Sequence, residues 1–130
     1  MEEVLAYLQK VRTFYLATAD GDQPRVRPFG AAVVWDDKLY LCTGNTKNVY
    51  RQLVDNPKVE ISAFDGEEWL RLTANFVVDD RREAKAAFLE ALPDLRRMYD
   101  EDDDVFAVGW LADATAQFCS FTAPPRTLTF

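Results

Sequence analysis

Between Glu2 and Val11 the apolar residues Val4, Leu5, Leu8 and Val11 recur every three or four positions, the spacing that lines one face of a short helix. The period then shortens. Thr13 to Ala19 (TFYLATA) is rich in aromatic and strand-forming residues and stops at the turn signal Asp20-Gly21-Asp22, which predicts a hairpin with a second strand from Pro24 to Trp35. Asp36-Asp37 turns the chain into a third strand, Lys38 to Thr43, completing an antiparallel meander. Gly44-Asn45 breaks that strand. Thr46 to Asp55 reads as a helix with Val49, Leu53 and Val54 inward, ended by Asn56-Pro57.

Val59, Ile61 and Ala63 alternate with Glu60, Ser62 and Phe64 as a fourth strand, and Asp65-Gly66 leads into a fifth from Glu68 to Val78. The fifth places Leu70, Leu72, Ala74, Phe76 and Val78 on one face and Trp69, Arg71, Thr73 and Asn75 on the other. Asp80 to Leu92 forms a helix in which Asp80 and Glu83 make a capping pattern and Ala84, Ala87, Phe88 and Ala91 face the core. Pro93 ends it and can start another short helix. The acidic run Asp100 to Asp104 lacks the spaced ligands, central glycine and distal glutamate of a calcium loop and reads as a solvated loop. Phe106 to Leu111 and Ala116 to Phe121 supply two closing strands, and the tail TAPPRTLTF is too polar for the core. Short antiparallel strands with an inserted helix predict a mainly β, α+β domain spanning residues 1–130, a small barrel with peripheral helices.

Composition narrows the chemistry. The chain of 130 residues contains no histidine, which excludes Ser-His-Asp and Cys-His catalysis, mixed Cys/His zinc sites and ordinary haem ligation by imidazole. Its net charge of −7 argues against sequence-independent binding to nucleic acid. Cys42 and Cys119 lie far apart in apolar surroundings and read as buried free thiols. The N-terminus lacks a signal-peptide pattern and no apolar run approaches the ~18 residues of a membrane span, so the expected home is the cytoplasm, with no membrane partner.

Arg25, Arg27 and Phe29 project from one face of the second strand, opposite Val26 and Pro28, so two guanidinium groups are expected to point together. Thr43-Gly44-Asn45-Thr46-Lys47-Asn48 joins a strand end to a helix start, where free backbone N–H groups and the helix dipole favour an anion. The Thr43 and Thr46 hydroxyls, the Asn48 amide, Lys47 and an arginine fork suit a phosphate. A capped helix beside solvated basic residues accounts for the same pattern.

The segments FYLATADGDQPRVRPFG, KLYLCTGNTKNVYRQLVDNPKVEISAF and EWLRLTANFVVDDRREAK, in that order and spacing, resemble the FMN-binding split-barrel superfamily typified by pyridoxamine 5′-phosphate oxidase. The similarity is to its small single-domain branch, which includes nitroimidazole-resistance-like flavoproteins. The resemblance implies a homodimer of split barrels with FMN at the subunit interface. It implies that Arg25, Val26, Arg27 and Pro28 line the flavin and that Thr43, Asn45, Thr46, Lys47 and Asn48 surround its phosphate. Trp69 stands where relatives contact flavin from the partner subunit, and Trp110 is a further interface candidate. The chain lacks the C-terminal Trp and Arg signature of true pyridoxamine-phosphate oxidases and the histidine associated with nitroimidazole reduction, so those activities do not carry over. The implied function is an oxidoreductase moving electrons from a reduced nicotinamide to a small acceptor, with Phe14, Tyr15 and Phe29 as possible aromatic walls. A non-enzymatic flavin carrier, or a barrel holding a deazaflavin or pyridoxal phosphate, fits the same residues.

Overall fold

Period-two burial dominates the computed structural model, which describes residues 1–130. The strands are β1 (Phe14–Asp20), β2 (Gln23–Phe29), β3 (Ala32–Trp35), β4 (Lys38–Gly44), β5 (Lys58–Phe64), β6 (Glu68–Asp79), β7 (Phe106–Ser120) and β8 (Arg126–Thr129). The helices are α1 (Glu2–Val11), α2 (Asn48–Asp55) and α3 (Arg82–Ala91), followed by a 3-10 turn over Pro93–Arg97. One antiparallel sheet runs β2-β1-β5-β6-β7-β4-β3, with β8 beside β7. The ends of that path, β2 and β3, are consecutive in the chain with only Gly30 and Ala31 between them. The sheet therefore curls until its edges come together without pairing, giving the α+β split barrel.

Inside the curl, Leu16, Leu41, Ile61, Leu70 and Leu72 meet Val4 and Leu8 of α1 and Val49 and Leu53 of α2. A second cluster of Tyr40, Phe88, Leu89, Phe106 and Val108 lies under α3. Here Gly109 is needed for packing, because a Cβ on it would lie 2.3 Å from Phe76. No helix is long and apolar enough to cross a membrane.

Several elements differ from the expectation. The strand expected from Pro24 to Trp35 is two strands at opposite ends of the sheet path, with Gly30 at the break. Pro24 and Pro28 mark β2 as an edge strand, since proline has no N–H for a ladder on both sides. The strands expected at Phe106 to Leu111 and Ala116 to Phe121 are one strand, β7. Between them Asp113 takes φ 52° while the β6 register shifts between Thr73 and Asn75, so the polar interruption is a bulge. The tail contributes β8, because backbone pairing with β7 needs no apolar side chains, and Leu128 and Phe130 pack on the main cluster.

Helix α2 starts at Asn48 instead of Thr46, and Val54 is 57% exposed, while Gln52 takes an inward position. In α3 the buried side chains are Ala84, Phe88 and Leu89. Ala91 is exposed and Ala87 half-buried. The Asp80–Glu83 cap does not form; the Arg81 N–H donates to Asp79 Oδ1 at 3.1 Å, one residue earlier.

Candidate functional site

The split between β2 and β3 opens into a cleft of about 390 Å³. Its β2 side and the following turn bring Arg27 through Ala31, its β4 side brings Cys42 and Thr43, and the α2 entry brings Lys47 and Val49. The far wall is Leu95, Met98 and Tyr99, from the segment after α3.

Arg27 is fixed by three neutral acceptors. Its Nη1 donates to Leu16 O at 3.2 Å and Thr18 Oγ1 at 2.8 Å, and its Nη2 donates to Gln52 Oε1 at 2.6 Å. The Thr18 hydroxyl donates to the same Gln52 oxygen at 2.5 Å, so one network ties β1, β2 and α2 together. This network explains why Thr18 and Gln52 are buried polar residues. No carboxylate pairs with Arg27. Burial and the neighbouring Arg25 lower its pKa from the usual guanidinium value, yet arginine remains charged at any ordinary pH. Lys47, across the cleft, has no carboxylate partner either. It is the N-cap of α2, and no side chain caps the first turn. Two uncompensated cations and a helix start thus face one partly apolar cleft, an arrangement suited to a ligand with an anionic group and an apolar part.

The anion-binding residues expected from the sequence divide in the structure. Arg27, Pro28, Thr43 and Lys47 line the cleft together. Arg25 does not join Arg27; its Nε pairs with Asp20 Oδ2 at 3.2 Å in the exposed strand. Val26 is exposed on the outer sheet face. The amide of Asn45 is spent on Asp104 O at 2.7 Å and its backbone N–H on Val105 O at 2.8 Å, so it anchors the acidic loop instead of facing the cleft. Thr46 and Asn48 are exposed beside the cleft without lining it. Trp69 lies on the outer face of β6, its ring 4.9 Å from that of Phe121. Among the aromatic walls considered, Phe29 lines the cleft, Phe14 is core, and Tyr15 is 49% exposed. Trp110 is half-buried beneath Lys38, whose ammonium lies 5.3 Å from its ring.

The sequence reading missed Leu95, Met98 and Tyr99, which sit in a polar stretch with no periodic signal. Their local sign is an apolar pair, Met98-Tyr99, just before the acidic run. That run is a series of carboxylate-capped turns tied down by Arg82 to Asp102 and Arg96 to Glu101, both at 2.6 Å. Cys42 is half-buried at the cleft wall and Cys119 buried, both free. Burial pushes the Cys42 thiol up to about 12 while Lys47 pulls it slightly the other way, so it is protonated at neutral pH.

A curled antiparallel sheet with a cationic cleft at its split defines the split-barrel class, and the chain belongs to the pyridoxamine 5′-phosphate oxidase family, which it matches over residues 1–108. It is similar to a NimC/NimA family protein from Clostridium acetobutylicum, with 45% identity, a TM-score of 0.97, and coverage of 100% of this chain and 92% of that one. General stress protein 26 from Bacillus anthracis shares the fold at 19% identity and a TM-score of 0.77, covering 99% of this chain and 97% of that one. HutZ, a haem storage protein from Vibrio cholerae, shares it at 19% identity and a TM-score of 0.65, covering 85% and 87%. No curated protein matches the chain.

Proposed function

We propose that the protein binds FMN in this cleft and acts as an oxidoreductase that takes electrons from a reduced nicotinamide and passes them to a small acceptor. The observation that carries the reading is the pair Arg27 and Lys47, two cations without a carboxylate partner lining one partly apolar cleft. Lys47 and the Thr43 hydroxyl, which makes no hydrogen bond inside the protein, would hold the phosphate. The remaining guanidinium N–H groups of Arg27 add to the same charge. Pro28, Phe29, Val49, Leu95 and Met98 give the apolar walls that exclude water from a flat ring. When bound, FMN would supply the hydride and electron transfer, which requires no side-chain base and so tolerates the absence of histidine. A chain without histidine also has no imidazole for haem iron, which separates it from an imidazole-ligated haem reading of the shared fold.

The reading includes a homodimer. Phe64 and Trp69 are register partners on the outer sheet face, beside Phe121, with Tyr15 and Val26 on the same face; Phe64 is 58% and Phe121 84% exposed. Exposed apolar groups in such number call for a covering surface. Sedimentation with FMN present should give a dimer at micromolar concentration, and a monomer would contradict this part.

Purified protein reconstituted with FMN should show the visible flavin bands, bleach anaerobically with NADH or NADPH, and turn over with small acceptors. Bound flavin that nicotinamide does not reduce would make the protein a carrier instead, and no flavin binding at all would end the reading.

A further inference from the structure

Tyr99 combines a fixed ring with a free hydroxyl. Its ring packs on Phe106 with centroids 4.8 Å apart, and its N–H donates to Leu95 O at 3.0 Å. Asn45 clamps the following loop at Asp104 and Val105. The two buried tyrosines use their hydroxyls, Tyr7 donating to Glu68 O at 2.8 Å and Tyr40 to Asp79 Oδ2 at 2.7 Å, whereas Tyr99 is half-buried. The Tyr99 hydroxyl has no acceptor within the protein, and it lies on the cleft wall.

The place it occupies is marked by Gly44. A Cβ on Gly44 would stand 3.4 Å from the Tyr99 hydroxyl, 3.4 Å from Val105 Cγ1 and 3.8 Å from Lys47 Cε, all ordinary contacts. Gly44 has φ in the usual negative range, so neither packing nor backbone conformation demands glycine there. The contrast is Gly109, where a Cβ would strike Phe76. The Tyr99 hydroxyl and the Lys47 stem therefore flank one point beside Gly44, and both residues line the same cleft.

We propose that Tyr99 is a ligand-binding residue: with Lys47, which lines the same cleft, it clasps the phosphate of the bound ligand, its hydroxyl donating to a phosphate oxygen. This rests on the FMN reading of the cleft and adds a donor from the segment after α3, far from the strand-to-helix loop in sequence. Its consequence is selection of phosphorylated over unphosphorylated flavin.

Tyr99→Phe removes the oxygen and keeps the ring on Phe106, so folding should be retained and the melting temperature checks this. Titration of FMN and riboflavin, followed by flavin fluorescence, should give roughly five- to fiftyfold weaker FMN binding and unchanged riboflavin binding, as loss of one hydrogen bond to a charged group predicts. Unchanged FMN affinity in Tyr99→Phe overturns the role of Tyr99 while leaving the cofactor in place. Equal losses for both flavins overturn it too, by moving Tyr99 to the ring. A wild-type protein that binds neither flavin overturns the clasp together with the cofactor reading.

Discussion

Arg81 and Arg27 are both held in fixed positions by several hydrogen bonds, yet one is neutralised and the other is not. Arg81 grips Asp79 through Nε at 3.0 Å and Nη2 at 2.9 Å, and the same carboxylate accepts the buried Tyr40 hydroxyl at 2.7 Å. Its guanidinium also lies 5.3 Å from the Trp35 ring. Arg27 has only Leu16 O, Thr18 Oγ1 and Gln52 Oε1, all neutral, and shares its cleft with the unpaired Lys47. A cation matched by a carboxylate completes the scaffold. A cation held only by neutral oxygens keeps its charge for something else.

The largest effect that sharpens this contrast belongs to Arg27→Ala, because that side chain serves both roles. It should lower stability by about 1–3 kcal/mol through the lost bonds to Thr18 and Gln52, and weaken FMN by roughly ten- to a hundredfold. Thermal melts and flavin titrations read the two effects separately, and full retention of FMN affinity would confine Arg27 to the scaffold. Next is Asp79→Ala, which leaves the Tyr40 hydroxyl without its acceptor. A melting temperature roughly 5–10 °C lower, with FMN affinity unchanged, is the expected result; a comparable loss of FMN would erase the distinction between the two arginines.

A smaller effect follows from pH. Arg81 holds the Asp79 carboxyl at about 2 against the opposing pull of burial, below its ordinary value near 3.8. A depressed carboxylate contributes its stability in full above the unfolded pKa and loses it as pH falls through the folded one. Acid unfolding should therefore steepen between about pH 4 and 2 and be shallower there in Asp79→Asn. Equal slopes would mean that the pair contributes nothing. The smallest effect is at the thiols: Cys42 and Cys119 should label slowly in the native protein, and FMN should slow Cys42 further because it lines the cleft. Rapid labelling of Cys42, untouched by FMN, would place the cofactor elsewhere.

Elements with one clean buried face were legible in the chain. The alternation in β5 and β6 and the apolar face of α1 survive in the structure because burial there follows a single period. The split itself was not. Pro24 to Trp35 contains no Asp or Asn turn signal, and only Gly30, with the prolines of β2, records that the chain leaves one sheet edge for the other. Likewise the gap between Leu111 and Ala116 reads as a turn, since a bulge and a turn both place a polar residue between apolar runs. At the site, Arg27, Pro28, Thr43 and Lys47 come together around the cleft: the strand-to-helix loop brings Thr43 and Lys47, and β2, as the sheet edge, brings both Arg27 and Pro28 although alternation puts them on opposite faces. Arg25 and Asn45 do not, because Asp20 and the backbone of Asp104 and Val105 compete for their donors. Leu95, Met98 and Tyr99 arrive through tertiary packing alone, which no local pattern records.

The most direct test is a parallel titration of wild type, Lys47→Ala and Asp79→Ala with FMN and riboflavin, with Lys85→Ala as a control away from the cleft. Lys47→Ala should weaken FMN by roughly ten- to a hundredfold, the worth of one charge-assisted hydrogen bond, and leave riboflavin almost unchanged. Asp79→Ala and Lys85→Ala should match wild type for both flavins. Equal losses of FMN and riboflavin in Lys47→Ala, or no loss of either, would contradict the claim that the unpaired cations of the cleft hold a phosphate.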